Sequence, residues 1–365
     1  MKISTTILKD AVAKSIKGSS NNNNLPLTSM IGIKLSGGKL RLLSTDMVNT
    51  LCVIIDKVAG DDVDITVSAD LFSKLISKVT SESVEMTVND GVLNVKANGS
   101  YKIPIVSDEN GDVSFPDITV DTTLLAPVNV KLTSILNVFN INRASLLDSV
   151  DSPLGGYMCT NEAVISTNGG ILTSNKLRLF GDDDLLIPPQ MMYLLTLNDV
   201  EDITMYTDGN TLYFVTDNLI VAGSELSGKE EYPVEDIADY FNIEFNSSCK
   251  VPRELLLSVI DRLMLFISSF DKNCATFTFT RTGINISSKA GSSDELIRYV
   301  GSENFKEFSC EVNIPAFKKL VSASPLDTIT LYYGDDSVIA IKDGNVSQIL
   351  ALGSDDEIEY EEEDE

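Results

Sequence analysis

TTILKDAVAKSIKG (residues 5–18), VKLTSILNVFNINR (130–143) and PRELLLSVIDRLMLF (252–266) are three versions of one apolar-periodic segment, beginning 125 and then 122 residues apart. A second helical pattern, SADLFSKLISKV (68–79), returns as IPPQMMYLLTLN (187–198) and as IPAFKKLVSAS (314–324). Each copy of the second pattern leads into a hairpin signal. The runs SVEMTVNDGVLNVKA (83–97) and ITMYTDGNTLYFVTD (203–217) alternate apolar and polar residues around Asn/Asp-Gly turns, and a third turn sits at Gly334-Asp335-Asp336. Helix starts and turns step together, as tandem copies of one domain would, each reading helix, hairpin, helix, hairpin. The expected class is α+β, three copies of a domain with two helices packed on antiparallel sheets. The aromatic-Pro pairs Phe115-Pro116 and Tyr232-Pro233 close the first two copies, which places the domains at 1–120, 121–245 and 246–353. Residues 354–365 are a strongly acidic tail, expected to be disordered by self-repulsion.

With 365 residues and 43% apolar composition, each of three domains can bury a core of its own. The opening MKISTTILKD has no apolar signal core, and no run reaches the ~18 apolar residues of a membrane span. A cytoplasmic protein without membrane contact is expected. The five cysteines (Cys52, Cys159, Cys249, Cys274, Cys310) are odd in number and widely spaced, which favours reduced thiols over a disulfide framework or a metal site.

Histidine is absent. That removes the usual general base and the commonest metal ligand, so a binding protein is expected rather than an enzyme, with no catalytic residues, cofactor or metal. Near-motifs fail on chemistry. GSELSGKE (223–230) has the phosphate-loop spacing, but Glu230 stands where Mg²⁺ needs Ser or Thr. DENGDV (108–113) starts like a calcium loop yet has Val113 at the glycine position. The run Asp182-Asp183-Asp184 reads as a solvated loop.

The net charge of -26 is unevenly spread. The six helical segments hold eleven basic residues (Lys9, Lys14, Lys17, Lys74, Lys78, Lys131, Arg143, Arg253, Arg262, Lys318, Lys319) against four acids, Asp10, Asp70, Glu254 and Asp261. Helices that sum to +7 on a chain that is otherwise -33 suit a molecule whose helices face an anionic partner such as duplex DNA. A β-rich scaffold without DNA would explain the repeats and the acidity, but gives no reason for that segregation.

Further residues carry a resemblance across residues 1–353. Leu25-Pro26-Leu27 followed by MIGIKLSGGKLRLLSTDM (30–47), with Thr45-Asp46 near its end, Tyr232-Pro233, and ELLLSVIDRLMLF (254–266) resemble the β sliding clamp family of bacterial DNA polymerase III. That resemblance implies a processivity factor: a head-to-tail homodimer closed into a ring, helices lining a hole that holds double-stranded DNA without sequence specificity. Its subunits would meet through Tyr101 and Ile103 on a strand at 101–106, Leu296 and Arg298 on a strand at 295–300, and the apolar Leu265 and Phe266. DNA polymerase and clamp loader would dock short peptides in an apolar pocket. Carried over by position, that pocket is Thr173, Asn175, Lys176, Leu177, Arg178, Leu179, Pro233, Ile237, Asn313, Val338, Leu350 and Leu352. TSNKLRL (173–179) departs from the family's Thr-Asp-Gly-His-Arg-Leu, and the polar Asn21–Asn24 stands in place of a basic loop. A clamp specialised for repair or late transcription is the nearest alternative. The tail, which carries Ile358 and Tyr360, is long enough to reach a pocket ending at Leu352.

Overall fold

The computed structural model describes residues 1–20, 25–108, 111–120, 122–123, 125–149, 151–301, 305–335 and 337–352. The Asn21–Asn24 loop, two residues of the DENGDV turn, Asp336 and the acidic tail lie outside the described residues.

The fold is α+β, with seven α-helices among the described residues: α1 Thr5–Ser15, α2 Ala69–Lys78, α3 Leu132–Asn142, α4 Pro189–Leu195, α5 Val234–Phe241, α6 Arg253–Leu263 and α7 Ile314–Ala323. Six of these are the segments expected from the repeat. The seventh, α5, was not anticipated. Local signals fix several starts: Ser68 caps α2 by accepting from the Leu71 N–H at 3.4 Å, and Asn313 caps α7 by accepting from the Ala316 N–H at 3.0 Å. None of the helices is long and apolar enough to cross a membrane.

The chain forms two compact units, each drawing on separated stretches of sequence. The first comprises Met1–Leu136 and Pro188–Glu225. Its eight-stranded antiparallel sheet runs, in spatial order, Val128–Lys131, Asp202–Thr207, Leu212–Val215, Leu219–Gly223, Asn49–Ile55, Lys39–Thr45, Met30–Ser36, Val63–Ser68. Strands from the first and middle thirds meet where Leu219 pairs with Val53 and Gly223 with Asn49. Gly223 is required there, since a Cβ would lie 2.7 Å from Asn49 Oδ1 and 2.8 Å from Met191 Cε. A four-stranded sheet, Lys2–Ser4, Ser83–Asn89, Val92–Lys96, Ser100–Pro104, ends on its last strand.

The second unit comprises Asn137–Ile187 and the described residues of Leu226–Glu365. Its nine-stranded sheet runs Leu185–Ile187, Tyr157–Cys159, Val164–Thr167, Ile171–Asn175, Val346–Ala351, Val338–Asp343, Thr328–Tyr333, Ser247–Pro252, Val300–Gly301. A four-stranded sheet has Asp294–Arg298 at one edge, then Gly283–Ser288, Cys274–Phe279 and Phe308–Asn313. Between the sheets and α6 and α7 lies a core in which Phe277 meets Phe317 edge to face at 5.3 Å and Phe279 stacks on Tyr333 at 3.9 Å. All five cysteines are free thiols, four of them buried.

Candidate functional site

Three features offer themselves for binding. The first is an apolar groove of about 290 Å³ in the second unit, lined by Leu154, Thr167, Gly169, Gly170, Leu172, Pro233, Ile237, Tyr240, Ser337, Val338, Ile349 and Ala351. Strand pairing builds its floor: Leu172 faces Ile349 and Val338 faces Ala351 across adjacent strands. Helix α5 forms one wall. Pro233 precedes it, Glu235 and Asp236 occupy its first turn, and apolar residues recur at Val234, Ile237 and Phe241, so its inner side packs onto a cluster with Ile165, Leu172, Ala340 and Tyr232. The turn Asn168-Gly169-Gly170 forms another part of the rim. Gly169 has φ +87°, and no side chain projects from Gly169 or Gly170 into the opening.

Of the residues assigned to the pocket from sequence, the groove gathers Pro233, Ile237 and Val338. The rest lie elsewhere, and the reasons are local. Thr173 is buried with its hydroxyl 2.5 Å from that of Ser145, and Asn175 donates to Asn137 Oδ1 at 2.5 Å. Arg178 is exposed and pairs with Asp182 at 2.6 Å, Lys176 is exposed, Leu177 is half-buried and Leu179 is buried. Asn313 is the cap of α7. Leu350 and Leu352 sit on the opposite face of their strand from Ile349 and Ala351 and pack on the core around α6 and α7. The groove is lined by Leu172, Ile349 and Ala351, each one residue from Thr173, Leu350 and Leu352, and a step of one residue along a strand exchanges faces. The signals that would have found the groove are the Asn-Gly-Gly turn between alternating runs and the Pro-initiated pattern of α5.

The second feature is the cationic side of the helices, treated within each unit. In the first unit Lys9 and Lys74 flank a hollow of about 330 Å³ between α1 and α2. In the second, Arg143, Lys318 and Lys319 surround one of about 430 Å³ beside α7. Several charges are internally compensated. Lys14 bonds Asp199 and also meets Asp10 at 3.1 Å, Lys74 meets Asp70 at 2.8 Å, Lys131 bonds Asp202, and Arg253 meets Glu254 at 2.8 Å. Lys318 meets Asp261 at 2.7 Å, and Arg262 makes a fork to Glu295 at 2.8 and 2.5 Å. Hydrogen bonding to Arg262 holds the Glu295 carboxyl below its ordinary range. Arg143 lies over the Phe139 ring at 5.1 Å. Lys9, Lys17, Lys78 and Lys319 have no carboxylate within ion-pair distance among the described residues. The surplus expected from the sequence is thus smaller in effect than its count.

The third feature is a pair of bare sheet edges. Ser100–Pro104 ends one four-stranded sheet and Asp294–Arg298 ends the other, so each presents unpaired backbone N–H and C=O groups. Tyr101, Leu296 and Arg298 are exposed on these strands, whereas Ile103 is buried in the core of its own unit. Past the end of α6, Leu265 is 80% exposed and Phe270 98%, with Phe266 beside them.

No family model matches the sequence, and no curated protein matches it. Solved structures do. The DNA polymerase III β subunit of Thermotoga maritima superposes with a TM-score of 0.83 at 14% identity, covering 97% of this chain and 98% of that one. The β subunit of Borrelia burgdorferi, solved in complex with a natural product, gives 0.83 at 18% identity, covering 97% and 99%. The DNA polymerase sliding clamp of Bacillus subtilis gives 0.81 at 17%, covering 97% and 98%. At these identities the likeness establishes the fold, and it does so over nearly the whole chain.

Proposed function

We propose that the protein is a DNA polymerase processivity factor, a cytoplasmic sliding clamp without chemistry of its own. Two copies close head to tail into a ring around duplex DNA, the Ser100–Pro104 edge of one pairing with the Asp294–Arg298 edge of the other. Each third of the chain, 1–120, 121–245 and 246–353, is one clamp domain. The helical lysines and arginines face the phosphates, and polymerase and clamp loader dock short peptides in the α5 groove.

The whole-chain correspondence with sliding clamps carries this reading. The uncompensated cations Lys9, Lys17, Lys78 and Lys319, all on or beside helices, agree with it, because a ring that slides needs weak, non-specific attraction rather than tight contacts. The test is retention: with a clamp loader, the protein is expected to stay on nicked circular DNA at salt concentrations that remove electrostatic binders, and to leave when the circle is linearised. Equal loss from circular and linear DNA rules out encirclement and returns the scaffold reading.

A further inference from the structure

The charged residues of helix α5, one wall of the groove, are all acidic. We propose that the groove selects peptides whose apolar anchors are flanked by lysine or arginine, with the acidic outer side of α5 as the selecting element; this rests on the reading of the groove as a partner-peptide site. The floor, formed by Leu172, Val338, Ile349 and Ala351, offers burial for apolar anchors and no ionic partner. Discrimination between sequences with similar anchors therefore falls to the rim.

Helix α5 presents three exposed carboxylates, Glu235, Asp236 and Asp239. Residues four apart lie above one another on a helix, so Asp236 shares a stripe with Tyr240, which lines the groove, and Glu235 shares one with Asp239. None of the three has an ion-pair partner among the described residues. Glu235 and Asp236 also stabilise the start of α5 through its dipole, but Asp239 lies beyond that turn, and the last turn holds no basic residue to offset the acids. Helix stability does not account for acidity there. Lys342, on the floor strand Val338–Asp343, does not line the groove: it donates to the Ile243 carbonyl at 3.3 Å and lies over the rings of Phe245 and Tyr332. A Lys- or Arg-flanked segment gains attraction from this rim and an acidic one meets repulsion, while the anchors bind both alike.

The experiment uses the full-length protein and three fluorescein-labelled peptides that share a Leu-Ala-Ile-Phe core and carry Lys, Ser or Glu flanks. Anisotropy titrations at low salt are expected to show the Lys-flanked peptide binding about tenfold tighter than the Glu-flanked one, a gap consistent with a few exposed charge pairs. It should close at about 1 M salt, where the Debye length is ~3 Å. The E235Q/D236N/D239N variant should remove the gap while leaving the Ser-flanked peptide unchanged. Equal affinity of all three peptides for the wild-type protein, or a gap that survives the triple variant, overturns the proposal. Truncation after Leu352 should preserve most of the gap; if it brings the Glu-flanked peptide to the level of the Lys-flanked one, the terminal acids and not α5 do the selecting, which also overturns it. Failure of the groove reading looks different: no peptide binds, or Tyr240→Ala leaves the binding of all three unaltered.

Discussion

At the scale of single residues, side chains divide between building the fold and offering a surface. Tyr240 is exposed at the groove, whereas Thr173 is sealed in a hydroxyl pair with Ser145. Tyr240→Ala should weaken peptide binding severalfold with little change in denaturation midpoint. Thr173→Ala should leave peptide affinity intact and cost about 1 kcal/mol, the usual worth of a buried hydrogen bond, readable as a shifted urea midpoint. The buried thiols make a separate prediction. Burial pushes Cys52 and Cys249 up to about 12 from an ordinary value of 9.0. The folded state favours the protonated thiol, so the associated stability is whole below pH 9 and declines as pH rises from there toward 12. Maleimide labelling followed by mass spectrometry should find these two cysteines unreactive in the native protein between about pH 7 and 9, and labelled once urea is added.

At the scale of elements, the helices divide into cations with carboxylate partners and cations without. Reversing Lys78 and Lys319 to Glu should shorten the lifetime of the protein on circular DNA and flatten its salt dependence more than reversing Lys74 and Lys318, whose charges Asp70 and Asp261 already offset. Equal effects from the two pairs, measured by the same retention assay, would set aside the assignment of the helical face to DNA. Six helices and the hairpin turns at Asp90-Gly91 and Asp208-Gly209 were legible in the sequence because period and turn chemistry are local properties. Helix α5 was not, because at eight residues it is barely two turns long and its three acids mask the apolar spacing. The groove was only partly legible for a related reason. Which face of a strand meets solvent depends on what packs against it, and Leu350 differs from Ile349 only in that. Ion pairs such as Arg262 with Glu295 join residues distant in sequence, so the charge count overstated what the helices present.

At the scale of the whole molecule, the proposed ring uses the bare edge strands and the exposed Leu265 and Phe266 as its contact with a second copy. Light scattering at micromolar concentration is expected to give a dimer. Leu265→Glu with Phe266→Glu should give a monomer that retains its circular dichroism, because placing charges in an apolar contact costs on the order of several kcal/mol. A wild-type monomer or trimer is incompatible with the two-copy ring. The interleaving of the two units also bears on how the chain is made. One edge of Asn49–Ile55 is covered by Lys39–Thr45, but its other edge pairs with Leu219–Gly223, so a ribosome must emit more than 160 further residues before that second edge can be covered. Until then the emerging polypeptide carries an open β-edge rich in Leu, Val and Ile, the kind of surface that nascent-chain chaperones shield and that crowded translation would otherwise drive into aggregates.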